Sequence, residues 1–171
     1  MDTLRTFIAI EIPADIRHRI KEHIDQLRAA FADVRASWTA EDNLHLTLKF
    51  LGDVAVARIP ALSNAVAEAT HTIDPFELII SGSGTFPPHG RPKVLWIGAH
   101  AGSAGILPAS SSTGTADATS ASSLSPLPLP LTSLHLALEG HCAAAGFERE
   151  PRAYHPHLTI ARLRTQKVHA R

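Results

Sequence analysis

Two short runs, 43-NLHLTLKFLGD-53 and 155-HPHLTIARLR-164, each carry His-Leu-Thr-aliphatic within strand-forming surroundings. Polar and apolar side chains alternate at 43–50 and at 155–160, and alternate side chains of an extended strand share a face. The pattern predicts that His45 and Thr47 project together, while Leu46, Leu48 and Phe50 point the other way into a core. His157 and Thr159 repeat the arrangement, with Leu158 and Ile160 behind them. Lys49 is expected on the His45 face, as a solvated strand lysine or as an attractor of anions. Two strands, each with one face committed to the core, are the starting point for the fold.

The rest of the chain supplies partners for them. At 171 residues and 44% hydrophobic content, it can bury the core of one domain, or of two small lobes sharing that core, across residues 1–171. Segment 5-RTFIAIEI-12 reads as a strand, and Pro13 and Asp15 open a helix with Ile16, Ile20, Ile24, Leu27 and Phe31 at helical spacing. The first motif strand spans 44–51 and is expected to end at Gly52-Asp53. A helix near 58–72 and strands at 76–82 and 93–99 follow, the strands being separated by the Gly- and Pro-rich loop 83–92. Residues 101–131 hold one charge, Asp117, and read as a low-complexity insertion that is disordered and dispensable. A helix at about 132–145, ended by Gly146, leads to the second motif. The order is βαβ(α)ββ–insertion–αβ, with no Gly-rich phosphate loop after a strand. The fold class predicted is mixed α+β with mostly antiparallel sheets.

Charge and cysteine content exclude several function classes. Lys plus Arg and Asp plus Glu balance at 16 each, so the broad basic footprint of a duplex-coating protein is missing. Cys142 is the single cysteine, which leaves no internal disulfide and no cysteine-based zinc site; in a helix it reads as a small buried residue. The N-terminus lacks signal-peptide character, and no run approaches the roughly 18 apolar residues of a membrane span. The expectation is a soluble cytoplasmic monomer without a membrane partner.

The chemistry rests on the doubled motif. Each copy offers an imidazole and a hydroxyl about 6–7 Å apart along the backbone. Two copies facing one cleft supply two groups titrating near neutrality and two hydroxyl donors. That set suits phosphodiester hydrolysis without a metal cofactor: one imidazole takes a proton from water, and one imidazolium gives a proton to the leaving alkoxide. The hydroxyls donate to the non-bridging oxygens. A lone strand histidine among the 11 present is ordinarily structural, whereas two in matched settings point to His45 and His157 as an acid–base pair. His155-x-His157 as a metal site is a minor reading, given Pro156 and no nearby acidic cluster. Phe7 and Trp38 read as core aromatics with base stacking as a secondary role, Trp96 as core, and Arg91 as a loop residue lining the cleft or sitting in water.

With 5-RTFIAIEIP-13, Trp38, 43-NLHLTLKFLGDV-54, 91-RPKVLWIG-98 and 156-PHLTIAR-162, the chain resembles the 2H phosphoesterases. Within them it is most similar to the bacterial and archaeal RNA 2′,3′-cyclic phosphodiesterases once named 2′-5′ RNA ligases. The resemblance implies a bilobal fold of pseudo-two-fold symmetry around a cleft. It implies hydrolysis of 2′,3′-cyclic phosphate at RNA ends, or on small nucleotides, to a 2′-phosphate. His45 would be the proton donor and His157 the proton acceptor, with Thr47 and Thr159 holding phosphate. Arg162, Arg91 and Phe7 are the further substrate-binding candidates. Strict alternation puts Arg162 opposite His157, so its role requires a bulge or a strand end. Members of the family place the motifs closer together and continue beyond the second one, whereas this chain stops 14 residues after His157. An exposed strand edge beside His157 would follow, unless the N-terminal strand and helix cover it. The alternatives are a C-terminally truncated nucleotide- or RNA-end-binding module with little or no turnover, or a 2H phosphodiesterase acting on another small cyclic phosphate.

Overall fold

The computed structural model describes residues 2–102 and 130–164. In chain order these form β1 (Thr3–Glu11), α1 (Ala14–Ala30), β2 (Ala36–Trp38), a 3₁₀ turn (Glu41–Asn43), β3 (His45–Ala55) and a second 3₁₀ turn (Val56–Arg58). They continue with α2 (Ile59–His71), β4 (Leu78–Phe86), β5 (Val94–Ala101), α3 (Pro130–Ala144) and β6 (His157–Leu163). Pro13, with its fixed φ, leads into α1, whose Ile20 and Ile24 are buried. Phe31, expected on that apolar stripe, lies past the last turn and is 54% exposed.

All strand pairs are antiparallel. β1 and β3 form one sheet, and β2-β6-β5-β4 form the other, so the fold is α+β as expected. Helices α2 and α3 pack together, and α3 also touches β3 and β5, joining the sheets. The two motif strands, β3 and β6, lie against each other although they belong to different sheets. Leu44, Leu46, Leu138 and Leu158 are among the most deeply buried residues of the core that both strands share.

Several boundaries differ from the expectation. β3 does not stop at Gly52-Asp53: Gly52 adopts φ +69°, a conformation open to glycine, and the strand bends through it to Ala55. β4 continues to Phe86, which shortens the loop foreseen at 83–92. β2, only three residues long, carries too little periodicity to be anticipated, yet it pairs with β6 opposite β5. The edge beside the second motif is therefore occupied, and by β2 rather than by β1 or α1. Of the insertion drawn at 101–131, Ala101 closes β5, Gly102 donates to the Glu77 carbonyl at 2.8 Å, and Leu131 is buried in α3. Residues 103–129, and the basic run beyond Arg164, lie outside the described residues. Among those described, no helix is long and apolar enough to cross a membrane.

The decisive feature is register. Along β1 the partners pass from Lys49 to Thr47, leaving Leu48 as an extra residue in β3. Along β5 they pass from Ala161 to Thr159, leaving Ile160 extra in β6. Both motif strands thus bulge at the residue after the threonine. A bulge puts two successive side chains on one side and reverses the alternation beyond them. Burial follows this in both copies: Leu48 and Lys49 are buried and Phe50 is exposed, and Ile160 and Ala161 are buried and Arg162 is exposed.

Lys49 therefore departs from its expected place beside His45. It is 3% exposed and donates to Glu139 Oε1 of α3 and to the Glu148 carbonyl, both at 2.7 Å. Glu139 Oε2 accepts from the Glu150 amide at 3.0 Å, so the buried carboxylate has a second donor. Cys142 is fully buried as expected, and burial pushes its thiol up, which keeps it protonated. Replacing Lys49 by Met leaves Glu139 without its counter-charge in the core. In urea denaturation, Lys49→Met is expected to lose about 3 kcal/mol, and the double variant Lys49→Met/Glu139→Leu is expected to recover most of it.

Candidate active site

The second motif is linked, through β2 and the turn after it, to the segment that leads into the first. Thr39, directly beyond β2, uses its amide to bond the Ile160 carbonyl and its hydroxyl to bond the Thr159 carbonyl, both at 2.9 Å. His45 lies six residues further on, a reach of at most about 20 Å even if fully extended. The intervening 3₁₀ turn shortens that span. The backbone of the second motif is thus tied to the segment that delivers the first. The first bulge is held in a comparable way: His135 Nδ1 donates to the carbonyl of Leu48 at 3.1 Å, and its ring stacks on Tyr154 at 4.0 Å.

His157 is set in a defined tautomer. Its Nδ1 lies 2.6 Å from the His155 carbonyl, which can only accept, so Nδ1 carries the proton and Nε2 keeps the lone pair. Phe86 packs edge-on against the ring at 4.9 Å, and Trp96 lies at 6.2 Å. Gly84 makes room for Trp96, since a Cβ there would stand 2.3 Å from the indole. Trp96, expected simply in the core, is partly buried and helps to wall His157. Burial pushes the His157 pKa below 6.5; the His155 hydrogen bond opposes this, and the charges of His155 and Arg162 add to the lowering. The influence of Arg162 follows from the bulge, which returns it to the His157 face instead of leaving it opposite.

On the other strand, His45 and Thr47 are partly buried, and Phe7 stacks on the His45 ring at 4.8 Å. Phe7 is 46% exposed rather than in the core, and it sits across from Phe50 in the β1–β3 ladder. Phe50, read as a core residue, is exposed on the same face. Arg91 is exposed in the loop after β4, the strand that brings Phe86 to His157. Two surface hollows, one lined by Arg28, Arg35, Trp38 and Arg164 and the other by Phe50, Arg58 and Phe147, contain neither motif histidine. The candidate site is therefore placed on the imidazoles and hydroxyls of the two motifs, which carry the chemistry the hollows lack. Among the described residues, no group of three or more His, Cys, Asp or Glu side chains is placed to hold a metal ion. Phe50, Phe86, Thr39 and His135 were not legible as site residues. Their positions depend on the bulges and on contacts between distant elements.

Comparison with known proteins follows the same residues. Residues 10–96 match the family model described as LigT like Phosphoesterase, a span that contains the first motif. The RNA 2′,3′-cyclic phosphodiesterase of Methanothermobacter thermautotrophicus is 28% identical over 94% of this chain and 72% of its own length. The protein of that name from Archaeoglobus fulgidus is 34% identical over 56% of this chain, a match covering 51% of the relative. The crystal structure of E. coli LigT complexed with 3′-AMP superposes with a TM-score of 0.62 at 28% identity, covering 94% of this chain and 74% of that one.

The environment of His157 has a measurable consequence. Because its folded-state pKa lies below 6.5, the unfolded chain binds more protons as the pH falls. Its contribution to stability is complete above the unfolded value and is lost as pH falls through the folded one. Nitrogen-detected NMR of the imidazoles should show His157 titrating below 6.5, with the Nδ1–H tautomer in its neutral form. A value above 6.5, or an Nε2–H tautomer, would contradict this geometry.

Proposed function

The chain belongs to the LigT-like phosphoesterase family, and from that premise we propose that it hydrolyses 2′,3′-cyclic phosphate at RNA ends to a 2′-phosphate. The observation that carries the reading is the doubled His-x-Thr strand with the same bulge in both copies, one on each sheet. The names of the Methanothermobacter and Archaeoglobus relatives, and the nucleotide bound by the E. coli protein, support the substrate class.

His157 is the base. Its Nδ1 is committed to the His155 carbonyl, and its lowered pKa keeps Nε2 unprotonated near neutral pH. Nε2 takes a proton from water as the water oxygen forms a bond to phosphorus. The bond from phosphorus to the 3′-oxygen breaks, and His45, as the imidazolium, delivers its proton to that oxygen. The product carries a 3′-hydroxyl and a 2′-phosphate, and the two histidines have exchanged protonation states. Thr47 and Thr159 donate to the non-bridging oxygens, and Arg162, on the His157 face, balances their charge. Arg91, exposed in the loop after β4, takes no step in this scheme, and no step calls for a metal ion.

The test is turnover of a nucleoside 2′,3′-cyclic phosphate in EDTA by the wild type, His45→Ala and His157→Ala. Each substitution is expected to lower kcat by about 10²- to 10⁴-fold while the fold is retained. Dependence on added metal, a 3′-phosphate product or full activity of either variant would contradict the scheme. Nucleotide binding by folded wild type without turnover would identify a binding module instead.

A further inference from the structure

Phe50 and Arg162 hold the same place in the two motif strands, five residues after the histidine and just beyond the bulge. In both copies the reversed alternation brings this position back to the exposed face that the histidine and threonine occupy. On β6 it presents a guanidinium, and on β3 an aromatic ring. The phenyl ring of Phe50 is 59% exposed and that of Phe7 is 46% exposed. Their centroids lie 6.4 Å apart at 47°, and Phe7 in turn stacks on His45 at 4.8 Å and 22°. An apolar surface across the paired strands β1 and β3 therefore runs into the candidate proton donor.

We propose that Phe7 and Phe50 form a stacking surface for the nucleobase of the terminal nucleotide, so that the β1–β3 sheet holds the nucleoside and β6 the phosphate charge. The assignment rests on the function proposed above and adds to it the group bound by the first sheet. A substrate joining a flat aromatic ring to an anion complements a site with phenyl rings on one side and Arg162 on the other. Aromatic faces stack on any base, so the surface selects for the presence of a base more than for its identity. The bulge is what makes Phe50 available: with regular alternation it would enter the core, the side on which Lys49 pairs with Glu139.

The experiment compares adenosine 2′,3′-cyclic phosphate with methyl riboside 2′,3′-cyclic phosphate, which keeps the ester and lacks the base. Phe50→Ala is expected to reduce the kcat/KM preference for the nucleoside by about 5- to 150-fold, through KM, and Phe50→Trp should retain the preference. Thermal unfolding of the variants separates stacking from folding. An unchanged preference in folded Phe50→Ala overturns the assignment. If the wild type turns over neither compound, the hydrolytic reading has failed and the stacking assignment is decided by calorimetry with 2′-AMP and methyl riboside 2′-phosphate. Weaker binding of 2′-AMP alone to Phe50→Ala sustains it, and equal loss for both ligands, or none, overturns it.

Discussion

An extended backbone alternates its side chains between two faces, and one extra residue in a paired strand reverses the alternation from that point on. In β3 this happens at Leu48, and in β6 at Ile160. The histidine and threonine of each motif precede the reversal and share one face. The next two residues both enter the core, and the residue after them returns to the histidine side. The composition of the candidate site, and the burial of a lysine, follow from this local departure made twice.

Such a departure has to be held in place, because it breaks the ladder that would otherwise satisfy the backbone. In β6 the carbonyls of Thr159 and Ile160 are taken by Thr39, which also connects the second motif to the segment leading into the first. In β3 the Leu48 carbonyl is taken by His135 of α3, and Lys49 finds Glu139 one turn further along the same helix. Ala161, the counterpart of Lys49, packs in the core with no such requirement. A buried ion pair contributes little net stability compared with apolar packing, but leaving either charge alone is costly. The pair therefore ties the β3 bulge to α3, the helix that touches both sheets.

The two copies differ in chemistry where they agree in backbone. His157 is walled by Phe86 and Trp96 and held by a carbonyl at Nδ1, an environment that favours a neutral ring with a free Nε2. His45 is flanked by the exposed rings of Phe7 and Phe50. Under the proposed mechanism this difference assigns the base to His157, whose surroundings favour the neutral ring with a free Nε2.

The sequence by itself determined the pieces that depend on local periodicity. The alternation at 45–48 and 157–160 identified two strands and placed each histidine with its threonine, the helical spacing of Ile16, Ile20 and Ile24 identified α1, and Pro13 marked its start. The motif residues also carried the family resemblance, because chemistry that needs an imidazole and a hydroxyl on one face leaves a short contiguous signature. Only the tertiary structure decided where alternation fails. A bulge is defined by the partner strand, so nothing within 45-HLTLKF-50 tells Lys49 to turn inward and Phe50 outward; the pairing with β1 and the carboxylate on α3 do so. In the same way, three-residue β2 acquires meaning only when β6 lies beside it, and Arg162 reaches the His157 face only because β5 skips Ile160. Local spacing encodes which residues share a face of a strand, but which strands meet, and where their registers slip, is set by packing between distant parts of the chain.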